Sequence, residues 1–197
     1  MSNVLLVGRP GSGKCKLLES IVDEFKHVIW VTTLTSAEFV RSKIRNENLW
    51  VVDTFTWFRR KTHTNMDVIV SNPLNLNEIS LAIGKVLDEL QGNYLLVLNS
   101  ISGLLLYHPY TRIVQFLRSL LVRIESEGGS GAFTLVKDAH EKNIEILITM
   151  LFPNILELQD GGVRFVKSIL PLERNTFDVE NEEVRKILVE LLRFKPF

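Results

Sequence analysis

The sequence holds a single cysteine, Cys15, which excludes an internal disulfide and any zinc site built from paired cysteines. It has no excess of charge. With 23 Lys and Arg against 23 Asp and Glu, there is no global electrostatic case for nucleic acid or an anionic membrane. The histidines, His27, His63, His108 and His140, share no metal-ligand spacing and fall where loops and element ends are expected. Long apolar runs are missing too. The most apolar stretch, residues 94–110 (YLLVLNSISGLLLYHPY), is interrupted by Asn99, Ser100, Ser102 and Gly103. It falls short of the roughly 20 residues that a membrane span needs. Near the N-terminus, glycines and Lys14 follow the apolar Val4–Val7 too soon for the core of a signal peptide. From these absences a cytoplasmic protein with no membrane segment is expected.

What is present is ordinary globular composition, 46% hydrophobic and 23% charged, in 197 residues. That length suits one domain over 1–197, large enough for a sheet covered on both faces. Short apolar runs alternate with amphipathic segments, which predicts a mostly parallel sheet with crossover helices on both faces. The strand runs are Asn3–Val7, His27–Thr32, Leu49–Val52, Tyr94–Asn99 and Ala132–Val136, continuous enough for strands buried on both faces. Helical spacing marks Lys14–Phe25, Ser36–Arg45 behind a Ser cap, Asn77–Leu90, Pro109–Glu127 stopped by Gly128-Gly129, and Asn181–Phe194. Residues 154–170 (NILELQDGGVRFVKSIL) predict two strands in a C-terminal hairpin that turns at Asp160-Gly161-Gly162. The polar stretch Arg59–Asn77 is expected to be a mobile loop.

The chemistry concentrates in the first strand-to-helix turn. Gly8, Arg9, Pro10, Gly11, Ser12, Gly13 and Lys14 have the spacing of a phosphate-binding P-loop, after a strand and before a helix as that motif requires. Its backbone N–H groups would cradle phosphate, and Lys14 would supply a point charge to the outer phosphates. The next position calls for Ser or Thr, whose hydroxyl would ligate magnesium, and holds Cys15. A second apolar strand normally ends in an Asp that holds the metal through water, and here Asn99 stands in its place. A thiol is a soft, poor ligand for a hard cation, and Asn lacks the negative charge, so magnesium is expected to be held weakly or not at all. Beside Lys14, the Cys15 thiol is expected to have a lowered pKa and redox sensitivity; the plainer explanation is a small residue tolerated where no metal is needed.

The order of these motifs resembles the RecA superfamily, and within it the archaeal and bacterial KaiC-like proteins. GRPGSGK resembles their Walker A motif and LLVLNSISGLLLYHP their Walker B. Residues 128–169 resemble the family's ending of strand, loop and terminal hairpin. The resemblance implies a RecA-like P-loop NTPase fold, ATP or ADP as ligand, and oligomers that place nucleotide between subunits. The partner is then a second copy or a related ATPase subunit. Gly8, Gly11, Ser12, Gly13 and Lys14 carry over as phosphate binders, with Arg9, Pro10 and Cys15 completing the loop. The family carries its water-activating carboxylate just after the second strand; here Thr32, Thr33 and Thr35 occupy that stretch, and Glu38 falls inside the next helix. Lys167 stands where the family offers a cation to a neighbour's phosphate. The expectation is a nucleotide-binding protein with weak or absent hydrolysis and a regulatory or assembly role. The alternatives are a slow ATPase using substitute ligands, linked to DNA, and a nucleotide-free scaffold. For the DNA link, Trp50, Trp57 and Phe58 flank Arg59-Arg60-Lys61, a pattern that can stack on single strands, although a solvated loop explains it as well. The run Leu104–Tyr107 with Tyr110 suits either core or a subunit contact.

Overall fold

The computed structural model describes residues 2–57, 64–90 and 93–194. Its centre is a nine-stranded sheet. In chain order the strands are β1 (Asn3–Gly8), β2 (His27–Thr32), β3 (Leu49–Asp53), β4 (Asp67–Ile69), β5 (Tyr94–Asn99), β6 (Ser130–Val136), β7 (Asn154–Gln159), β8 (Gly162–Lys167) and β9 (Thr176–Asp178). In space the order is β4-β3-β2-β5-β6-β1-β7-β8-β9. Pairing is parallel from β4 through β7, and β7-β8 and β8-β9 are antiparallel. The hairpin turns where the sequence places it, with Gln159 opposite Gly162 and Gly161 at φ +77°, a conformation that glycine adopts without Cβ strain.

The helices are α1 (Lys14–Glu19), α2 (Ala37–Lys43), α3 (Leu76–Glu89), α4 (Ile101–Leu105), α5 (Tyr110–Ser126), α6 (Lys142–Thr149) and α7 (Glu182–Arg193). Alternation along each strand sorts side chains into two cores. Val4 and Leu6 of β1 join Leu17, Val40, Leu188 and Leu192 on the face covered by α1, α2 and α7. Leu5 and Val7 join Ile83, Leu117, Ile148 and Phe152 on the face covered by α3, α5 and α6. Every residue of β1 is buried, as a strand covered on both faces must be. The site-bearing strand therefore lies deep in the sheet, between β6 and β7, and its C-terminal end leads into the exposed Arg9 and Pro10.

Several elements differ from the sequence expectation. The first helix stops at Glu19 instead of reaching Phe25. The Ser20 hydroxyl donates to the Leu17 carbonyl at 2.7 Å, and a 3₁₀ turn over Val22–Glu24 follows, still burying Ile21, Val22 and Phe25. Pro109 sits at the N-cap of α5, one position before its first turn. The stretch expected as a loop over Arg59–Asn77 contains β4 and the first residues of α3; residues 58–63 lie outside those described. β4 forms because Asp67, polar in sequence, is buried against Arg41 of α2 at 2.6 Å and accepts from the Thr64 amide at 3.1 Å. The connection before the hairpin, expected as a loop, holds α6, in which only Ile148 is fully buried. The sequence reading missed β9 as well.

Candidate nucleotide site

β1 ends at Gly8 and α1 begins at Lys14, so residues 9–13 form a strand-to-helix loop. Gly11 and Gly13 sit at φ +79° and +92°, the left-handed region that an L side chain resists. Gly8 is needed for a different reason, close approach: a Cβ there would lie 2.5 Å from Ser12 Oγ and 2.8 Å from the Leu158 carbonyl oxygen. Lys14 curls back over the loop. Its Nζ donates to the carbonyls of Gly8 at 2.5 Å and Arg9 at 2.8 Å and to Ser12 Oγ at 3.3 Å. The side chain is buried, and burial pushes its pKa below the usual lysine value. Arg9 points to solvent, its Nε and Nη2 3.3 and 3.2 Å from Asp138 Oδ2 in the β6–α6 connection. The loop, Pro10 included, walls one side of an open cleft of about 920 Å³. Asp160, Gly161 and the segment Asp178–Asn181 form the other side.

Beside this loop the structure joins the two departures from the magnesium pattern. Asn99, the last residue of β5, donates from Nδ2 to Cys15 Sγ at 3.3 Å. Its Oδ1 accepts from Thr134 Oγ1, on the neighbouring strand β6, at 2.8 Å. The expected lowering of the Cys15 pKa is corrected. Burial dominates and raises it; the Asn99 hydrogen bond and Lys14 pull it down, and Glu19 adds to the rise. The shift favours the protonated thiol over the thiolate. Magnesium, which the family resemblance implies, calls for carboxylate or hydroxyl oxygens. A thiol and an amide N–H facing each other do not fit it. Among the described residues, no group of three or more His, Cys, Asp or Glu gathers into a metal site.

The end of β2 lacks a carboxylate as expected, and its hydroxyls are tied internally. Thr32 Oγ1 donates to the Thr35 carbonyl at 2.7 Å. Thr33 Oγ1 donates to the Ser100 carbonyl at 2.9 Å and accepts from the Ser100 amide at 2.8 Å. Glu38 lies in the first turn of α2, as expected. Asp53 ends β3, in register with Thr32 of β2. It is buried and accepts from the amides of Ala37, Phe55 and Thr56 at 2.8–2.9 Å, so it braces a turn instead of facing the loop.

Lys167 donates to the Phe152 carbonyl of its own chain at 2.8 Å. Leu104 is core, whereas Leu106, Tyr107 and Tyr110 are exposed. Trp50 is half-buried and Trp57 exposed; Phe58, Arg59-Arg60-Lys61 and His63 lie outside the described residues. Sequence reasoning missed three features. One is Thr134, a fully buried hydroxyl in the apolar run GAFTLV, where a polar residue must find a partner. Another is the His140 Nε2–Ser102 Oγ pair, 2.9 Å apart. The third is Glu157 on β7, held by Lys137, Arg164 and, at 2.9 Å, Gln159.

A model of a family of unknown function, DUF7504, matches residues 2–158. No curated protein matches the chain. Among solved structures, the chain is similar to a KaiC-like protein from the hyperthermophilic archaeon Pyrococcus horikoshii, with TM-score 0.64, 17% identity, and 90% of this chain and 84% of that one covered. It is also similar to the flagellar accessory protein FlaH from Methanocaldococcus jannaschii, with TM-score 0.58, 14% identity and coverage of 84% and 78%. A type III secretion system ATPase from pathogenic bacteria superposes with TM-score 0.55 at 14% identity, covering 80% of this chain and 51% of that one. What is shared at these identities is the mixed α/β, RecA-type fold.

Proposed function

For a chain that belongs to DUF7504, a family of unknown function, we propose a nucleotide-binding role, with ATP or ADP as ligand and little or no hydrolysis. One observation carries the reading. An intact P-loop, with left-handed Gly11 and Gly13 and a buried Lys14, follows the C-terminal end of a central strand in a RecA-type sheet. Backbone amides and an ammonium bind phosphate directly and need no metal. The groups that would drive hydrolysis are altered together: Cys15 for a hydroxyl, Asn99 for Asp, and Thr32, Thr33 and Thr35 where a base would stand. Removing one such group costs about 10²–10³ in rate, so the combination leaves little turnover. A protein of this kind acts by binding and assembly, with a second copy or a related ATPase subunit as partner.

Calorimetric and thermal-shift titration with ATP and ADP tests this. A ligand at 100 times its Kd stabilises the fold by about 2.7 kcal/mol. Lys14→Ala should weaken binding about tenfold to a hundredfold, the loss of a charged hydrogen bond. Turnover should stay below about 1 s⁻¹, the low end of typical enzymes. Faster turnover that Lys14→Ala abolishes would point to the slow-ATPase alternative. The nucleotide-free scaffold has its own support, because Lys14 is already satisfied by Gly8, Arg9 and Ser12. Absence of any shift with either nucleotide would establish that alternative.

A further inference from the structure

We propose that Asn99 is a phosphate-binding donor that takes over the place of a metal, and that Thr134 is the residue that positions it. The inference rests on the nucleotide-binding reading and names the species bound: the metal-free nucleoside polyphosphate. It begins from the disagreement between the side chains beside the P-loop and the magnesium that the resemblance implies.

An Asp at the end of β5 presents only acceptors, which suits a cation or its bound water. Asn99 presents an acceptor and two N–H donors, so its orientation decides what the site offers. That orientation is set by β6. The Thr134 hydroxyl, fully buried, donates to Asn99 Oδ1 at 2.8 Å and so engages the acceptor on the strand side. The NH₂ group is left facing α1, where one N–H reaches Cys15 Sγ at 3.3 Å. The other N–H has no acceptor among the described residues. Asn99 is half-buried, and its partner Cys15 directly follows Lys14, so this donor stands beside the first turn of α1, next to the residue that closes the loop. A donor attracts a phosphate oxygen and repels a cation. The change from Asp to Asn therefore does more than delete a charge: it reverses the polarity of the position, and Thr134 holds it reversed.

The test is titration of the full-length protein with ATP, once in excess EDTA and once in excess magnesium, read by calorimetry. The wild type should bind ATP in EDTA at least as tightly as in magnesium. Thr134→Val keeps the branched shape but removes the hydroxyl, which frees the amide to turn; it should weaken binding in EDTA about tenfold and leave the magnesium value closer to wild type. Thr134→Ser, which keeps the hydroxyl, should restore the wild-type ratio. Asn99→Asp should invert the preference, so that binding in EDTA becomes the weaker. Wild-type binding that drops tenfold or more when EDTA replaces magnesium overturns the proposal, as does a Thr134→Val ratio equal to wild type. If Thr134→Val does not fold, the wild-type ratio and Asn99→Asp still decide it. Failure to bind in either condition removes the nucleotide reading itself, an outcome distinct from binding with the opposite metal preference.

Discussion

At the scale of single residues, Glu157 shows how a buried charge is made tolerable and how that can be measured. Burial alone would raise its pKa from 4.5, but hydrogen bonds from Lys137, Arg164 and Gln159 outweigh it and bring the pKa to about 2. A folded pKa below the unfolded one means that the carboxylate contributes stability above about pH 4.5. That contribution is lost as pH falls toward 2. Lys137 and Arg164 are partly exposed and stay hydrated without their partner, so Glu157→Gln should cost about 1–3 kcal/mol at neutral pH. Urea unfolding at a series of pH values should show this cost shrinking below pH 4.5 and nearly gone at pH 2. A difference independent of pH would mean that the ion cluster contributes nothing to the acid side of the stability curve.

At the scale of elements, α6 and α7 make a contrast. Both are amphipathic, yet α7 buries Val184, Leu188, Leu191 and Leu192 completely, whereas α6 leaves Ile146 and Leu147 exposed. Leu188→Ala should therefore cost about 2–5 kcal/mol, from lost transfer energy plus the cavity. Ile146→Ala, at a side chain 50% exposed, should stay within about 0.5 kcal/mol. Denaturant midpoints with unchanged m-values would check both. The helical spacing of Asn181–Phe194 made α7 readable in advance, and Asn181 indeed caps it, accepting from the Glu183 amide at 2.9 Å. α6 was not readable. Only Ile148 is fully buried, so the run KNIEILIT offers too short a stripe to mark a core face in advance. β4 escaped for a related reason, since its burial depends on Arg41, 26 positions earlier.

At the scale of the whole molecule, the family match ends at residue 158, inside β7, yet the fold does not end there. The second hairpin strand, β9 and α7 follow, and α7 closes the core over β1 and β6. A chain cut after Gln159 should therefore lose the single cooperative urea transition of the full chain. If it kept that transition, α7 would be an accessory and not part of the core. Sequence alone carried the strand–helix alternation, the hairpin and the glycine-rich strand-to-helix turn, because each is written in local periodicity and in a few glycines whose backbone demands are local. The departures at Cys15 and Asn99 were visible there too, as residue types out of pattern. Only the packed structure could bring Cys15, Asn99 and Thr134 into one hydrogen-bonded chain, turn the Cys15 pKa upward and curl Lys14 onto its own loop. Those properties depend on burial and on neighbours far apart in the chain, Cys15 and Asn99 being 84 positions apart and Asn99 and Thr134 35, and no stretch of sequence contains that information.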